Sequence, residues 1–265
     1  MEMTGIVEFF KYRKNIVKET ISFIKYVMNY FFNGANVFYD FCNIGAKQTT
    51  VVLHGWGRTS RDFSFVKESV KHNLLFVDFP PFGNSRNEPQ GWTIFTYASM
   101  LISLCEHLKI EKFNLLGHSF GGRVAIIVGA LCKDKVEKIM LVSSAGVRPK
   151  RRLKYYWKVW WYKFKKKLGV EQKNVGSEDY RNLSDNMKKV FCNIVNTHLE
   201  DFLPQICARV LIVFGKNDET TPLYMAKILH EKIVDSQLEI LEGAGHFCFY
   251  DRRTKFVSLM KNFLS

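Results

Sequence analysis

Short apolar runs separated by longer amphipathic stretches organise the chain between residues 36 and 142, and again from residue 210 onward. Runs at 37–39, 50–53, 74–77, 113–116 and 139–142 are rich in Val, Leu, Ile and Phe. Brief, nearly continuous apolar segments of this kind predict parallel strands covered on both faces. The run Val210-Leu211-Ile212-Val213-Phe214 predicts another, and 238–241 reads as a short alternating strand. Between them the spacing of apolar residues predicts a helix near 93–108 and a packed helix over 124–128. Strand–helix alternation of this kind indicates an α/β class, a mostly parallel central sheet with helices on both faces.

Two stretches depart from that rhythm. In residues 1–33, Ile6, Phe10, Val17, Ile24, Met28 and Phe31 recur at spacings of three, four or seven, with Lys and Arg between them. This predicts an amphipathic helical extension. It fits packing against the core or a second subunit, a membrane-surface contact, or disorder. Residues 148–205 form a helical insertion between two core strands, so the core itself comprises 34–147 and 206–265. Within the insertion, residues 148–167 carry many Arg and Lys, no acid, and interleaved aromatics. Trp157, Trp160 and Trp161 share a helical face that fits a substrate-pocket roof, or alternatively a membrane surface. No recognised nucleic-acid-binding module accompanies these basic residues, so nucleic acid is not an expected partner.

Composition narrows the class. The 265 residues carry 39 basic and 25 acidic side chains, a net charge of +14, which favours attraction to anions. Six scattered cysteines without a Cys-x-x-Cys pair predict packed thiols and a cytoplasmic location, with no disulfide framework or metal site. No stretch approaches the ~18 uninterrupted apolar residues of a membrane span.

Chemistry concentrates where strands end. The run 113–116 leads into Gly117-His118-Ser119-Phe120-Gly121-Gly122 and then the apolar helix. Strand, Gly-x-Ser-x-Gly and helix describe a nucleophile elbow, a strained turn that lifts a serine hydroxyl clear of the backbone. The strand at 50–53 stops at His54-Gly55-Trp56-Gly57, which positions a backbone N–H, that of Trp56, to join that of Phe120 as an oxyanion hole. Asp218 follows the strand at 210–214, where open α/β sheets build their sites, although Asp ahead of Thr221-Pro222 also fits a helix N-cap. His246 closes the Gly-rich loop after 238–241. Ser119, Asp218 and His246 thus occur in the order nucleophile, acid, base. His54 is a candidate pocket residue, and Arg123, next to the elbow, fits either a helix-face charge or a partner for a substrate carboxylate.

With these residues in place, the chain resembles the α/β-hydrolase superfamily, in the branch with a helical cap and a Ser-Asp-His triad. The motifs are His54 to Gly57, Asp78 to Ser85, Gly117 to Gly122, Gly215 to Pro222 and Gly243 to His246, within residues 34–265. Haloalkane dehalogenases and epoxide hydrolases of this fold carry Asp where Ser119 stands, so the serine implies acyl chemistry. The resemblance implies that 148–205 is a cap and that the protein is a serine hydrolase of a small or medium carboxylic ester or related acyl substrate. A carbon–carbon bond hydrolase, a perhydrolase or lyase, and a hydrolase-like membrane-associated binding protein stay open as alternatives. No cofactor is implied, and oligomeric state is not encoded in these motifs.

Overall fold

The computed structural model describes residues 26–150 and 178–265. The N-terminal extension before Tyr26, and the segment holding Trp157, Trp160 and Trp161, lie outside the described residues. Eight strands form one sheet: β1 (Tyr26–Phe32), β2 (Ala35–Cys42), β3 (Thr49–Leu53), β4 (Asn73–Asp78), β5 (Phe113–His118), β6 (Val136–Val142), β7 (Arg209–Gly215) and β8 (Ser236–Leu241). Their order across the sheet is β1-β2-β4-β3-β5-β6-β7-β8. The β1–β2 and β2–β4 pairs are antiparallel, and every other pair is parallel.

Successive side chains on the parallel strands feed two separate cores, as a period of two requires. Val51, Leu53, Leu115, Ile139, Leu141, Ile212 and Phe214 face helices α1 (Ile94–His107), α2 (Phe120–Leu131) and α4 (Leu223–Lys232). Val52, Leu116, Met140, Val142, Leu211 and Val213 face the opposite layer, which includes α5 (Arg253–Leu264). Burial on both sides is why these runs read as continuously apolar. A further helix, α3 (Asp185–Asn196), lies in the insertion between β6 and β7 and is capped by the Ser184 side chain, which accepts from Met187 N–H.

One expectation needs correction. Residues 26–32 form strand β1, where the spacing of apolar residues predicted helix. The reason is a hairpin: Asn33 and Gly34 both take positive φ, +41° and +81°, and join β1 to β2. Asn-Gly favours this turn because its twist matches that of the flanking strands. Alternation then buries Tyr30 and Phe32 against the core while Phe31 points outward, 70% exposed. The Tyr30 hydroxyl sits 2.7 Å from that of Ser103, and the Phe32 ring meets Trp92 edge-on.

The switch in strand order falls between β3 and β5, since the chain leaves β3 to one side for β4 and to the other for β5. Ligands of open α/β sheets bind at the carboxyl ends of strands at this point.

Candidate active site

Ser119 sits directly at the end of β5, with φ +51° and ψ −106°, a conformation costly for a residue with a side chain. Two glycines permit the turn. A Cβ on Gly117 would come within 2.6 Å of the Gly121 carbonyl oxygen, and one on Gly121 would collide with the Leu53 carbonyl. The elbow is tied down on both sides: Ser119 N–H donates to Val142 O at 3.0 Å, and Gly121 N–H donates to His54 O at 3.1 Å. The second bond docks the loop after β3 against the start of α2. Neither Trp56 N–H nor Phe120 N–H donates to another described residue, and both residues line the same cavity as Ser119.

Asp218 and His246 come from the loops after β7 and β8. Asp218 Oδ2 accepts from His246 Nδ1 at 2.9 Å. The same oxygen accepts from the Thr221 hydroxyl at 2.8 Å, and Oδ1 accepts from the N–H groups of Thr220 and Thr221 at 2.9 and 2.8 Å. These bonds hold the carboxylate side chain, which is fully buried. Burial opposes ionisation of Asp218, but the hydrogen bond and charge of His246 and the bonds from Thr221 outweigh it, so its carboxyl lies below the ordinary range. The helix-cap alternative does not apply, since α4 starts at Leu223 with Pro222 as its cap residue and no side-chain cap bond. With Nδ1 donating to Asp218, His246 keeps Nε2 free to accept a proton. Ser119 Oγ makes no hydrogen bond to His246 or to any other described residue; geometry of this kind in unliganded sites commonly tightens only with substrate.

His118 supports this arrangement from below. Its ring is buried, and Nε2 donates to the His246 carbonyl oxygen at 3.1 Å. Burial, reinforced by repulsion from His246, pushes the ionisation of His118 down to about 3, so its imidazole is neutral at physiological pH. His72 bonds the Thr50 hydroxyl near the start of β3, His107 packs on Tyr30 and His230 bonds Ser236, all away from the elbow.

A cavity of about 230 Å³ opens beside Ser119, walled by Trp56, Phe120, Arg123, Phe191 and Met225, with Thr220 and Thr221 from the acid loop. Trp56 is held between Phe82, Phe120 and Phe191, with ring centroids 4.9, 5.4 and 5.2 Å away. Phe82 brings the loop 78–85 against Trp56.

His54 does not line the cavity and is corrected here from a pocket residue to a scaffold residue. Its ring is fully buried; Nδ1 donates to Gly55 O at 2.7 Å and Nε2 accepts from Phe79 N–H at 2.8 Å. Those two bonds fix the tautomer, and burial lowers its affinity for a second proton. Sequence reasoning missed the Thr221 hydroxyl, the His118 buttress and the wall supplied by Phe191. A threonine three residues after an acid was the one local signal for the first, because Asx-type turns use this spacing.

The sequence profile of the alpha/beta hydrolase fold matches residues 50–193. Among curated proteins, the chain is 25% identical over 246 residues to the uncharacterized hydrolase YugF of Bacillus subtilis (strain 168), covering 81% of this chain and 89% of that one. It is 24% identical over 263 residues to 2-hydroxy-6-oxononadienedioate/2-hydroxy-6-oxononatrienedioate hydrolase 1 of Pseudomonas putida, covering 87% and 92%. Among solved structures, a bacterial membrane phospholipase A superposes with a TM-score of 0.73 at 19% identity, covering 98% of this chain and 93% of that one; at this identity the likeness concerns the fold.

Proposed function

The chain belongs to the alpha/beta hydrolase fold family, and from that premise we propose that it is a serine hydrolase of a small carboxylic ester or related acyl substrate. The observation that carries this reading is the buried Asp218–His246 pair, with its tautomer fixed, in the loops beside a serine held on a strained elbow.

The steps are those of a Ser-His-Asp triad. Ser119 Oγ attacks the substrate carbonyl carbon as its proton passes to His246 Nε2. Asp218, kept ionised by four hydrogen bonds, stabilises the imidazolium that forms. The carbonyl oxygen, now negative, takes the N–H groups of Trp56 and Phe120, an arrangement in which one donor is typically worth about 10²–10³ in rate. Collapse expels the leaving group, which takes its proton from His246. Water, deprotonated by His246, then releases the acyl group from Ser119 and restores the serine hydroxyl. The insertion 148–205 acts as the cap, with Phe191, Ile194 and Val195 of α3 over the acyl group.

A fluorophosphonate probe read by intact mass and peptide mapping tests the nucleophile. Labelling at Ser119, abolished in Ser119→Ala, is expected; a folded protein that stays unlabelled overturns the reading. A p-nitrophenyl ester series of increasing acyl length then measures what the cavity accepts, with short chains preferred.

A second reading, hydrolysis of a carbon–carbon bond, draws on the Pseudomonas putida relative, which is named a hydrolase of 2-hydroxy-6-oxononadienedioate and 2-hydroxy-6-oxononatrienedioate. The same groups serve that reaction, and a chain that labels at Ser119 yet turns over no ester points to it.

A further inference from the structure

We propose that the cavity beside Ser119 selects substrates whose acyl group carries a carboxylate, and that Arg123 is the residue that receives it; this rests on Ser119 being the nucleophile.

Arg123 lies one helical turn beyond Ser119 on α2 and lines the same cavity. Four residues of helix advance about 6 Å, a span that a short acyl chain bridges. The guanidinium is buried, the residue being 6% exposed, and its surroundings are apolar: Val147, Phe191, Ile194, Val195 and Met225 share the cavity wall with it.

What holds the guanidinium uses only two of its five N–H donors. Nη1 donates to Ile194 O at 3.0 Å and to Thr197 O at 2.7 Å, the carbonyls at the end of α3. That is a favourable place for a cation, because the last carbonyls of a helix lack intrahelical donors. Both acceptors are neutral. Nε and Nη2 make no hydrogen bond with a described residue, and they form the side-on fork that matches the two oxygens of a carboxylate.

Among the described residues no carboxylate lies within ion-pair distance of Arg123. Glu200 attracts it only from further away, and its Oε1 is engaged by the Arg148 N–H at 2.7 Å. Buried charges are ordinarily paired, since removing an ion from water costs several kcal/mol. Burial lowers the ionisation of Arg123 to about 10, which leaves it charged at neutral pH and in want of a counter-ion. A carboxylate on the substrate supplies that counter-ion inside the cavity where acyl transfer takes place.

The test compares two stable esters on the full chain: monoethyl glutarate, and ethyl pentanoate as its uncharged counterpart of similar length, with acid release followed by pH-stat. Wild type is expected to favour monoethyl glutarate in kcat/KM, and Arg123→Met to reduce that preference by about 10- to 100-fold, the range expected for losing a charge-assisted bond. Arg123→Lys retains part of it. An arginine that merely anchors α3 would affect both esters alike, so an unmoved ratio overturns the assignment. So does a wild-type enzyme that favours ethyl pentanoate.

A measurement on wild type alone covers the case in which the variants fail to fold. Glutaramate, but not uncharged pentanamide, is expected to slow fluorophosphonate labelling of Ser119. Equal protection by both, or by neither, overturns the carboxylate site while leaving the nucleophile in place. Absence of labelling in any condition overturns the underlying reading instead.

Discussion

His118 Nε2 donates to the backbone carbonyl of His246 at 3.1 Å, so the residue before Ser119 carries the loop that presents His246. The two rings pack with centroids 4.9 Å apart. The elbow and the loop after β8 are thus joined through a neutral side chain.

The neutrality of His118 sets a pH dependence of stability. Its folded-state value, about 3, lies below the ordinary 6.5, so between these values the unfolded chain binds a proton that the folded chain refuses. Stability therefore falls as pH drops from 6.5 toward 3, and buried His54, shifted in the same direction, adds to the fall. Urea midpoints between about pH 7 and about pH 4.5 should show this slope, and His118→Gln, which cannot titrate, should flatten it. An unchanged slope would remove His118 as its source.

Asp218 and Thr221 should separate in their effects on rate. Asp218→Asn removes the charge that supports the imidazolium and fixes its tautomer, and kcat is expected to fall about 10³- to 10⁴-fold. Thr221→Val deletes one of the bonds to the carboxylate while leaving the Asp218–His246 bond in place, with an expected loss of about tenfold. Steady-state kinetics on both variants with one ester checks the order; equal losses would mean that Thr221 does more than hold Asp218.

Ser119 is strained by its φ of +51°, and only glycine adopts that conformation without cost. Both Ser119→Ala and Ser119→Gly should be inactive, but the glycine variant should be the more stable of the two by about 1–2 kcal/mol. Thermal melts of the two proteins decide this, and equal melting temperatures would contradict a strained elbow.

Gly34 at φ +81° completes the turn between β1 and β2. Gly34→Val should destabilise the protein by about 1–3 kcal/mol, because a β-branched residue resists this backbone. Phe31→Ser, on the outward face of the neighbouring strand, should change stability by less than about 0.5 kcal/mol. Denaturant titration of the two variants measures the contrast.

Much of the architecture could be read from residue order. Runs such as 210–214 identify themselves because a strand covered on both faces needs apolar side chains at every position, and β7 spans Arg209–Gly215. Gly117 and Gly121 marked the elbow because no other residue fits between backbone segments that approach so closely. The stretch before Asn33 was harder. In residues 26–32, Met28 and Phe31 fit a helical period by coincidence, while the Asn-Gly dipeptide at 33–34 carried the stronger signal for a hairpin.

The chain by itself therefore determined the α/β class, the strained turn at Ser119 and the succession of serine, acid and histidine, because apolar periodicity and glycine placement are local properties. Tertiary structure alone decided that His54 is walled in, that Thr221 clamps Asp218, and that Arg123 lines the Ser119 cavity with three of its five donors unused by described residues. Those outcomes depend on how sheet register and crossovers bring distant loops together at one edge. A side chain's type fixes what it can bond, but only its surroundings fix what it meets.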